Sequence, residues 1–261
     1  MDDSQLHVQK IRDQFTRQAE AYIRMKQTTD EEALGKAVAL TGVQSGHRVL
    51  DVACGPGFLT MAFARRCAEA AGLDATTVFL SHAREEAERR GLHNIQFHEG
   101  DAERLPFTDH AFDVVACRAA FHHLVHPQRV LAEIKRVARP GGRLLLLDMI
   151  ASEDPEKAAY HNRVERLCDP THVRALAESE FEHMFRTAGL EVLSRPKVTI
   201  SYAVSEWMDH GGPDEATARE IIALMEASVA MDRTGLNVRR EDGVLRFSHT
   251  AVAFLLKPSV D

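Results

Sequence analysis

Three acidic residues and one glycine-rich turn have the types and spacing of a nucleoside-binding site. Asp51, Asp74 and Asp101 each follow or end a short apolar run, and Gly55 and Gly57 come directly after the first of these runs. Glycines permit a tight turn and a close approach of backbone to a ligand, and N–H groups at the start of a helix favour a polar or anionic group. A carboxylate at the second strand end can accept both hydroxyl protons of a ribose. The pattern therefore predicts binding of a nucleoside cofactor.

The first two acidic residues do not distinguish between nucleoside cofactors. A dinucleotide fingerprint of the form G-x-G-x-x-G needs a small residue at the position that Thr60 occupies. Asp74 follows Asp51 by 74 − 51 = 23 residues, and this spacing suits the ribose of a nicotinamide cofactor or of another nucleoside. Asp101 adds a carboxylate at the next strand end, where an adenine amino group would donate to it. Thr60 and this third carboxylate together disfavour a nicotinamide dehydrogenase.

Taken together, these motifs resemble the class I S-adenosylmethionine-dependent methyltransferases, in particular the small-molecule branch typified by ubiquinone and menaquinone biosynthesis C-methyltransferases. The matching stretches are 49–57 (VLDVACGPG), 100–107 (GDAERLPF), 112–115 (FDVV) and 140–142 (PGG). Ala53 stands where many relatives have the first glycine of the turn. The resemblance implies methyl transfer to carbon or oxygen of a small, apolar or aromatic acceptor. The alternative is a protein that binds S-adenosyl-L-methionine without methylating, using it structurally or for another reaction.

The resemblance also implies a role for individual residues. Asp51 lies near the ammonium group of the cofactor, Asp74 holds the ribose and Asp101 reads the adenine. Arg118 lies beside the methionine part through its backbone carbonyl, and Tyr22 belongs to an N-terminal helix that closes over the cofactor. The implied cofactor-binding residues are Tyr22, Asp51, Gly55, Gly57, Asp74, Ala75, Asp101, Ala102 and Arg118.

Two adjacent histidines are candidates for proton transfer on the acceptor side. A general base is needed only where the acceptor arrives protonated, and the pKa of imidazole is close to neutrality. His122 and His123 follow the fourth apolar run, and Asp148 ends the fifth. We predict that Asp148 orients His123 as the general base and that His122 contacts the acceptor. The alternative, in which one imidazole only packs in the loop, remains open at this point.

A polar segment after the fifth run holds further acceptor candidates. Asp169, His172 and Arg174 lie where this fold builds acceptor specificity, so we predict that they line the acceptor site. Alternatively, Asp169 caps a helix that starts at the following proline. The grouping of His122, His123 and His126 has no matched carboxylate spacing, and the sequence therefore predicts no metal site.

The elements that position these residues form an α/β pattern. Between 41 and 150, short apolar runs alternate with segments of helical spacing, which predicts right-handed βαβ crossovers and a parallel sheet covered on both faces. We predict an α/β fold: a Rossmann-like, seven-stranded, mostly parallel sheet with an antiparallel last strand and helical lid insertions. The strands are expected near 47–53, 71–74, 95–99, 112–117, 143–149, 191–202 and 245–256.

The whole chain, 1–261, is expected to form a single methyltransferase domain. Within it, 4–40 would form an N-terminal helical cap and 41–150 the cofactor-binding core. Two helical insertions, 151–180 and 203–240, would build the acceptor site.

Composition and charge narrow the class of protein further. The 261 residues include 32 Lys and Arg against 39 Asp and Glu, a formal balance of −7 without a basic block, which argues against nucleic acid as a partner. No apolar run approaches the roughly 20 residues of a membrane helix, and a secretory signal pattern is absent. The 4 cysteines lack CxxC spacing, which argues against zinc knuckles and disulfides. We expect a cytoplasmic protein whose partner is a small-molecule acceptor; its oligomeric state stays open, with a homodimer as one alternative.

Overall fold

Helices and strands alternate along the chain in the computed structural model, which describes residues 3–25 and 29–259. The helices are α1 (Asp3–Arg24), α2 (Glu31–Leu40), α3 (Phe58–Ala64), α4 (Thr77–Arg89), α5 (Pro127–Val137), α6 (Pro155–Cys168), α7 (Glu178–Thr187), α8 (Val204–Gly211) and α9 (Glu215–Val229). The strands are β1 (Arg48–Val52), β2 (Glu69–Asp74), β3 (Ile95–Glu99), β4 (Phe112–Arg118), β5 (Ala138–Ile150), β6 (Leu190–Ser194), β7 (Lys197–Ala203), β8 (Arg239–Glu241) and β9 (Val244–Pro258). Residues 26–28 of the predicted cap, and the first and last two residues of the predicted domain, lie outside the described residues.

The central sheet has the strand order β3-β2-β1-β4-β5-β9-β6. Strand β1 pairs in parallel with β2 and β4, β4 pairs in parallel with β5, and β9 runs antiparallel to β5 and β6. These strands confirm the predicted Rossmann-like sheet with an antiparallel last strand. The winding reverses between β1 and β4, and ligands of such sheets bind beyond the carboxyl ends of the strands at that point.

The described residues form nine strands rather than the predicted seven, and two predicted strands differ from the observed ones by more than two residues or by a division. The strand expected over 191–202 is divided into β6 and β7, because Pro196 between them has no N–H to donate to a ladder. Strand β5 begins at Ala138 rather than at Arg143, so Pro140 lies within the strand. A register shift between Phe112 and Val114 of β4 accommodates the longer strand.

Apolar side chains pack on both faces of the sheet. Helices α5 and α7 cover one face through residues such as Ile134 and Phe185, and α2 and α3 cover the other through Leu34 and Phe63. Full burial of each such side chain contributes about 1.5–3 kcal/mol. A third cluster joins α6, α8, α9 and β9 around Phe247. The chain therefore has a separate apolar core beneath its helical insertions.

The two predicted insertions are only partly helical. The segment 151–180 contains α6, after which the chain follows an irregular path to α7, and 203–240 contains α8 and α9 but ends in β8. Strand β9 is 15 residues long and pairs with β7 and β8 as well as with β5 and β6. It thereby joins the insertions to the central sheet. Among the described residues, no helix is both long and apolar enough to cross a membrane.

Candidate active site

Asp51 lies near the carboxyl end of β1, with a side chain that is only 1% exposed. Thr60 Oγ1 donates a hydrogen bond to Asp51 Oδ2 at 2.7 Å. Burial raises the pKa of the Asp51 carboxyl to about 7, although the hydrogen bond from Thr60 acts in the opposite direction. A cation beside a buried carboxyl favours the ionised form, so this position suits a ligand with a positive charge. Thr60, whose type argued against a nicotinamide cofactor, orients that carboxyl.

The glycine-rich turn after β1 depends on two left-handed backbone conformations. Gly55 has φ +53° and Gly57 has φ +78°. A Cβ on Gly57 would lie 2.9 Å from the Ala83 Cβ and from the Phe97 ring, so no side chain fits there. Gly55 lines the pocket above the turn, whereas Gly57 does not. The α-carbon of Gly57 packs against α4 and β3, and its predicted contact with the cofactor stays a prediction.

Two alanines beside this turn share the left-handed conformation. Ala53 follows β1 with φ +54°, and Ala119 follows β4 with φ +52°. For residues other than glycine this conformation costs roughly 1–2 kcal/mol, and surrounding bonds must hold it. The Ala119 N–H donates to Leu147 O at 2.7 Å. The backbone geometry of Ala53 would also suit a glycine at that position.

Asp74 and Asp101 line the same pocket as Asp51. Asp74 accepts the Gly55 N–H at 2.8 Å and the Thr76 N–H at 2.7 Å, and burial raises its pKa. An ionised carboxylate offers about four acceptor positions, so two remain for ribose hydroxyls. Asp101 Oδ1 accepts the Glu103 N–H at 2.9 Å, which fixes the loop after β3. Both carboxyls therefore shape the backbone around the pocket that they line.

Helix α1 forms a roof over this pocket. Phe15 and Tyr22 meet edge to face with 5.6 Å between their ring centroids, and Phe79 of α4 lies 5.8 Å and 5.3 Å from them, respectively. Burial raises the pKa of the Tyr22 hydroxyl. Gln18 Nε2 donates to Gly211 O at 2.6 Å, so the roof is attached to the end of α8.

Eight of the nine predicted cofactor residues meet in this one pocket. They are Tyr22, Asp51, Gly55, Asp74, Ala75, Asp101, Ala102 and Arg118. Their chemistry fits the cofactor that the resemblance implies, because separate carboxyls are available for an ammonium, a ribose diol and an adenine amino group. Arg118 lines the pocket from the last position of β4.

The histidine that Asp148 holds is His122. The His122 Nδ1–H donates to Asp148 Oδ1 at 2.6 Å, while Asp148 Oδ2 accepts the Ala120 and Phe121 N–H groups at 3.0 and 2.7 Å. Burial lowers the pKa of His122, but the charge and hydrogen bond of Asp148 outweigh burial and raise it overall. The structure does not form the predicted pair of Asp148 with His123, because Asp148 bonds to His122 and the Nδ1 of His123 lies against the Thr171 carbonyl oxygen.

His123 instead bonds to the segment after α6. Its Nδ1 lies 3.1 Å from the Thr171 carbonyl oxygen, which only accepts, so Nδ1 carries the proton and Nε2 keeps a basic lone pair. Burial, and next the charge of His122, hold the pKa of His123 below its usual range. The two rings are 4.2 Å apart between centroids. Neutral His123 thus lies beside His122, which is protonated more readily.

A second cavity of about 200 Å³ opens beside the cofactor pocket. Its walls include Tyr202, Trp207 and Asp169 from the chain after β5 (151–259), which we call the predicted acceptor half, and His122 and Asp148 from the core. Five residues line both spaces, and we call them the shared rim: Phe15, Tyr22, Arg118, Ala119 and His123. The two cavities therefore meet at this rim.

Only one of the three candidates after α6 reaches the second cavity. Asp169 lines it and is the C-cap of α6; no helix starts at the following proline. His172 is buried, but its Nε2 bonds to Asn162 Oδ1 at 2.8 Å and it does not line the cavity. Arg174 pairs with Glu180 on the surface. The structure therefore does not bring His172 and Arg174 to this cavity, and their predicted contacts with an acceptor stay predictions.

Sequence reasoning did not identify a group of three buried side chains in the acceptor half. His161, Glu165 and His249 place one ligand-type atom each within 4.8 Å of the others. The spacing of His161 and Glu165, one helical turn apart, was the available signal. His249 lies 84 residues from Glu165 in the chain, and only the pairing of β9 brings it close.

Comparisons with known proteins agree with this arrangement. A family model described as a methyltransferase domain matches residues 50–146. The uncharacterized methyltransferase YcgJ of Bacillus subtilis is 35% identical over 208 residues, which cover 80% of this chain and 82% of that protein. Its crystal structure superposes with a TM-score of 0.81 over 88% of this chain and 99% of that one. The similarity thus extends well beyond the cofactor motifs.

Two further proteins match this chain over different shares of its length. A Bacillus halodurans protein described as a methyltransferase has 29% identity and a TM-score of 0.83 over 87% of this chain and 99% of that chain. The ubiquinone/menaquinone biosynthesis C-methyltransferase UbiE of Ectopseudomonas mendocina is 38% identical, but over 48% of this chain and 50% of that protein.

Proposed function

The chain belongs to the class I S-adenosylmethionine-dependent methyltransferases, and from this family we propose that it methylates carbon or oxygen of a small, apolar or aromatic acceptor. The observation that carries the proposal is the shared rim, where His123 lies on the boundary between the cofactor pocket and the second cavity. Methyl transfer from a sulfonium is an in-line displacement, so alignment of donor and acceptor supplies much of the rate, about 7–11 kcal/mol in favourable cases.

The cofactor pocket offers one group for each part of S-adenosylmethionine. The cofactor supplies an electrophilic methyl group on a positively charged sulfur. Asp51 would bind its ammonium, Asp74 its ribose and Asp101 its adenine, while Tyr22 would exclude water from above. Burial around Asp51 strengthens such a charge interaction, because screening by solvent is weak there.

His122 and His123 would have different roles toward the acceptor. Asp148 raises the pKa of His122, whereas burial, and next the charge of His122, lower the pKa of His123 to about 4. A neutral His123 Nε2 can take a proton from the acceptor, and charged His122 would stabilise the oxyanion that this leaves. The catalytic residue is therefore His123, and Asp148 acts through His122. This chemistry suits phenols, hydroquinones and enols, in which an acidic proton lies next to the methylated atom.

Several features support a small acceptor. The second cavity, at about 200 Å³, has aromatic walls at Tyr202 and Trp207 and is covered by α1. A relative that covers half of this chain is named for quinone biosynthesis, which agrees with an aromatic ring as acceptor. We further propose, from the sequence, that the protein works in the cytoplasm and that residues 41–150 hold the cofactor.

An acceptor panel tests the proposal. The full chain is incubated with S-adenosylmethionine and with phenols, hydroquinones or 1,3-dicarbonyl compounds, and formation of S-adenosylhomocysteine is measured. With an accepted compound, His123→Gln should lower kcat by roughly 10²–10⁴-fold while the affinity for the cofactor stays the same. Its matched control is His126→Gln, since His126 is the N-cap residue of α5 and lines neither cavity.

Two outcomes would contradict the proposal. Cofactor binding without turnover of the whole panel would favour the alternative, a protein that binds S-adenosylmethionine for another purpose. Equal kcat values for wild type and His123→Gln would show that His123 is not the general base. The rate of methyl transfer would then depend on alignment of donor and acceptor.

A further inference from the structure

Three buried side chains lie in the acceptor half, apart from the His122–Asp148 pair. His161 and Glu165 lie one turn apart on α6, and His249 faces them from β9; they are 1%, 5% and 4% exposed, respectively. Glu165 Oε1 is 2.7 Å from His249 Nε2 and 3.4 Å from His161 Nε2. Ligands of a tetrahedral zinc ion lie roughly 3 Å apart, since each is about 2 Å from the metal. All three ligand-type atoms lie within 4.8 Å of one another, so a single ion could contact each of them.

A second observation that indicates a metal site is the lack of hydrogen-bond partners around the imidazole of His161 within the described part of the chain. Although Nε2 lies near Glu165, neither ring nitrogen has a hydrogen-bond partner among the residues that the structure describes. Buried polar groups in proteins are nearly always satisfied, and leaving one without a partner costs free energy. A hydrogen-bonded cluster of Glu165 and His249 accounts for two of the three side chains and leaves His161 unexplained. An ion bound at all three would satisfy a nitrogen of that ring.

We propose that His161, Glu165 and His249 bind one divalent transition-metal ion of the Zn²⁺ or Fe²⁺ type. Two imidazoles and one carboxylate suit these ions, whereas Mg²⁺ and Ca²⁺ prefer oxygen ligands. Helix α6 supplies two ligands on one face, because side chains four residues apart in a helix are neighbours. Strand β9 supplies the third from the sheet, so the ion would connect the insertion to the central fold.

The site has an open side. Glu165 and His249 also line the acceptor cavity, and a metal with three protein ligands keeps coordination positions for another group. The ion would therefore bind an oxygen donor of the acceptor, such as a phenolate or enolate. This last step rests on the proposed function, whereas metal binding itself rests only on the three side chains.

Metal binding is measured on the full chain without cofactor or acceptor, so its outcome does not depend on methyl transfer. Wild-type protein is stripped with a chelator and titrated with Zn²⁺, and Co²⁺ absorption reports the coordination number. We expect one equivalent of Zn²⁺ per chain and a Co²⁺ spectrum typical of four or five ligands. Glu165→Gln and His161→Gln should each weaken Zn²⁺ binding by at least roughly 100-fold.

The control must account for the other histidines, since the chain has 14 of them. His172→Gln removes a buried histidine of the same half that bonds to Asn162, and it should bind Zn²⁺ like wild type. Circular dichroism verifies that each variant is folded. Zn²⁺ affinity that is equal in wild type, Glu165→Gln and His161→Gln would overturn the proposal, and so would loss of binding in His172→Gln alone.

Discussion

The carboxyl group of Asp51 titrates near neutral pH. Because burial raises the pKa of this carboxyl to about 7, part of the ligand-free protein holds it protonated near neutral pH. A protonated carboxyl cannot pair with an ammonium group. We expect the dissociation constant for S-adenosylmethionine to rise as the pH falls below about 7, by up to about tenfold per pH unit. Calorimetry in two buffers of different ionisation enthalpy would detect the proton released on binding.

Asp51→Asn is the matched variant for this prediction. It should bind the cofactor more weakly and without that dependence on pH, since the amide does not titrate. A dissociation constant that stays constant between about pH 8 and about pH 6 would contradict the assignment. The folding stability of the ligand-free protein depends on pH in the opposite direction to cofactor affinity. Because the folded state binds the Asp51 proton more tightly than the unfolded chain does, this contribution to stability is lost as the pH rises through about 7.

The residue scale also shows what a sequence can and cannot predict. Asp51, Asp74 and Asp101 were identifiable because each comes at or just after the end of a strand, where the fold itself determines position. The partner of Asp148 was not identifiable. His122 and His123 are adjacent, and the geometry of one 3₁₀ turn decides which imidazole meets the carboxylate. Sequence spacing contains no information about that direction.

At the scale of elements, α1 covers the cofactor pocket and is also hydrogen-bonded to α8. Gln18 connects it to Gly211 at the end of α8, and a net hydrogen bond contributes about 1 kcal/mol. We expect Gln18→Ala to raise the dissociation rate of S-adenosylmethionine by about fivefold, because the helix opens more readily. Stopped-flow competition measures that rate. Gln9→Ala, which removes an exposed bond to Asp13 within α1, is the control, and equal rates for the two variants would contradict the role of the roof.

The elements of the core were largely predictable, because apolar runs and helical spacing alternate there with clear turn residues. The acceptor half was less so. Strand β8 has only three residues, Arg239–Glu241, all of them charged, and no periodicity indicates a strand. The contact of His249 with Glu165 depends on the register of β9 against β7, in which Ile200 pairs with His249. Long-range pairing of this kind is absent from local sequence.

At the scale of the whole molecule, β9 belongs to both halves. It pairs with β5 in the central sheet and with β7 and β8 in the acceptor half. We therefore expect one cooperative unfolding transition, in which the fluorescence of Trp207, the single tryptophan, coincides with far-UV circular dichroism. Phe247→Ala, at a fully buried position of β9, should destabilise the protein by about 3–5 kcal/mol and shift both signals together.

The control for that variant is Val198→Ala, since Val198 lies on β7 with its side chain 54% exposed, and its transition should remain close to that of wild type. Separate midpoints for fluorescence and circular dichroism would show that the acceptor half unfolds independently of the sheet.

Ala53 and Ala119 limit how this protein can acquire new acceptors. Their left-handed backbone admits glycine or asparagine with little cost and alanine at roughly 1–2 kcal/mol, but it rejects β-branched and bulky residues. Variation at these two strand ends would damage the scaffold before it altered preference. A library for directed evolution should instead diversify the walls supplied by β7 and α8, including Tyr202 and Trp207, where ordinary backbone geometry accepts many side chains.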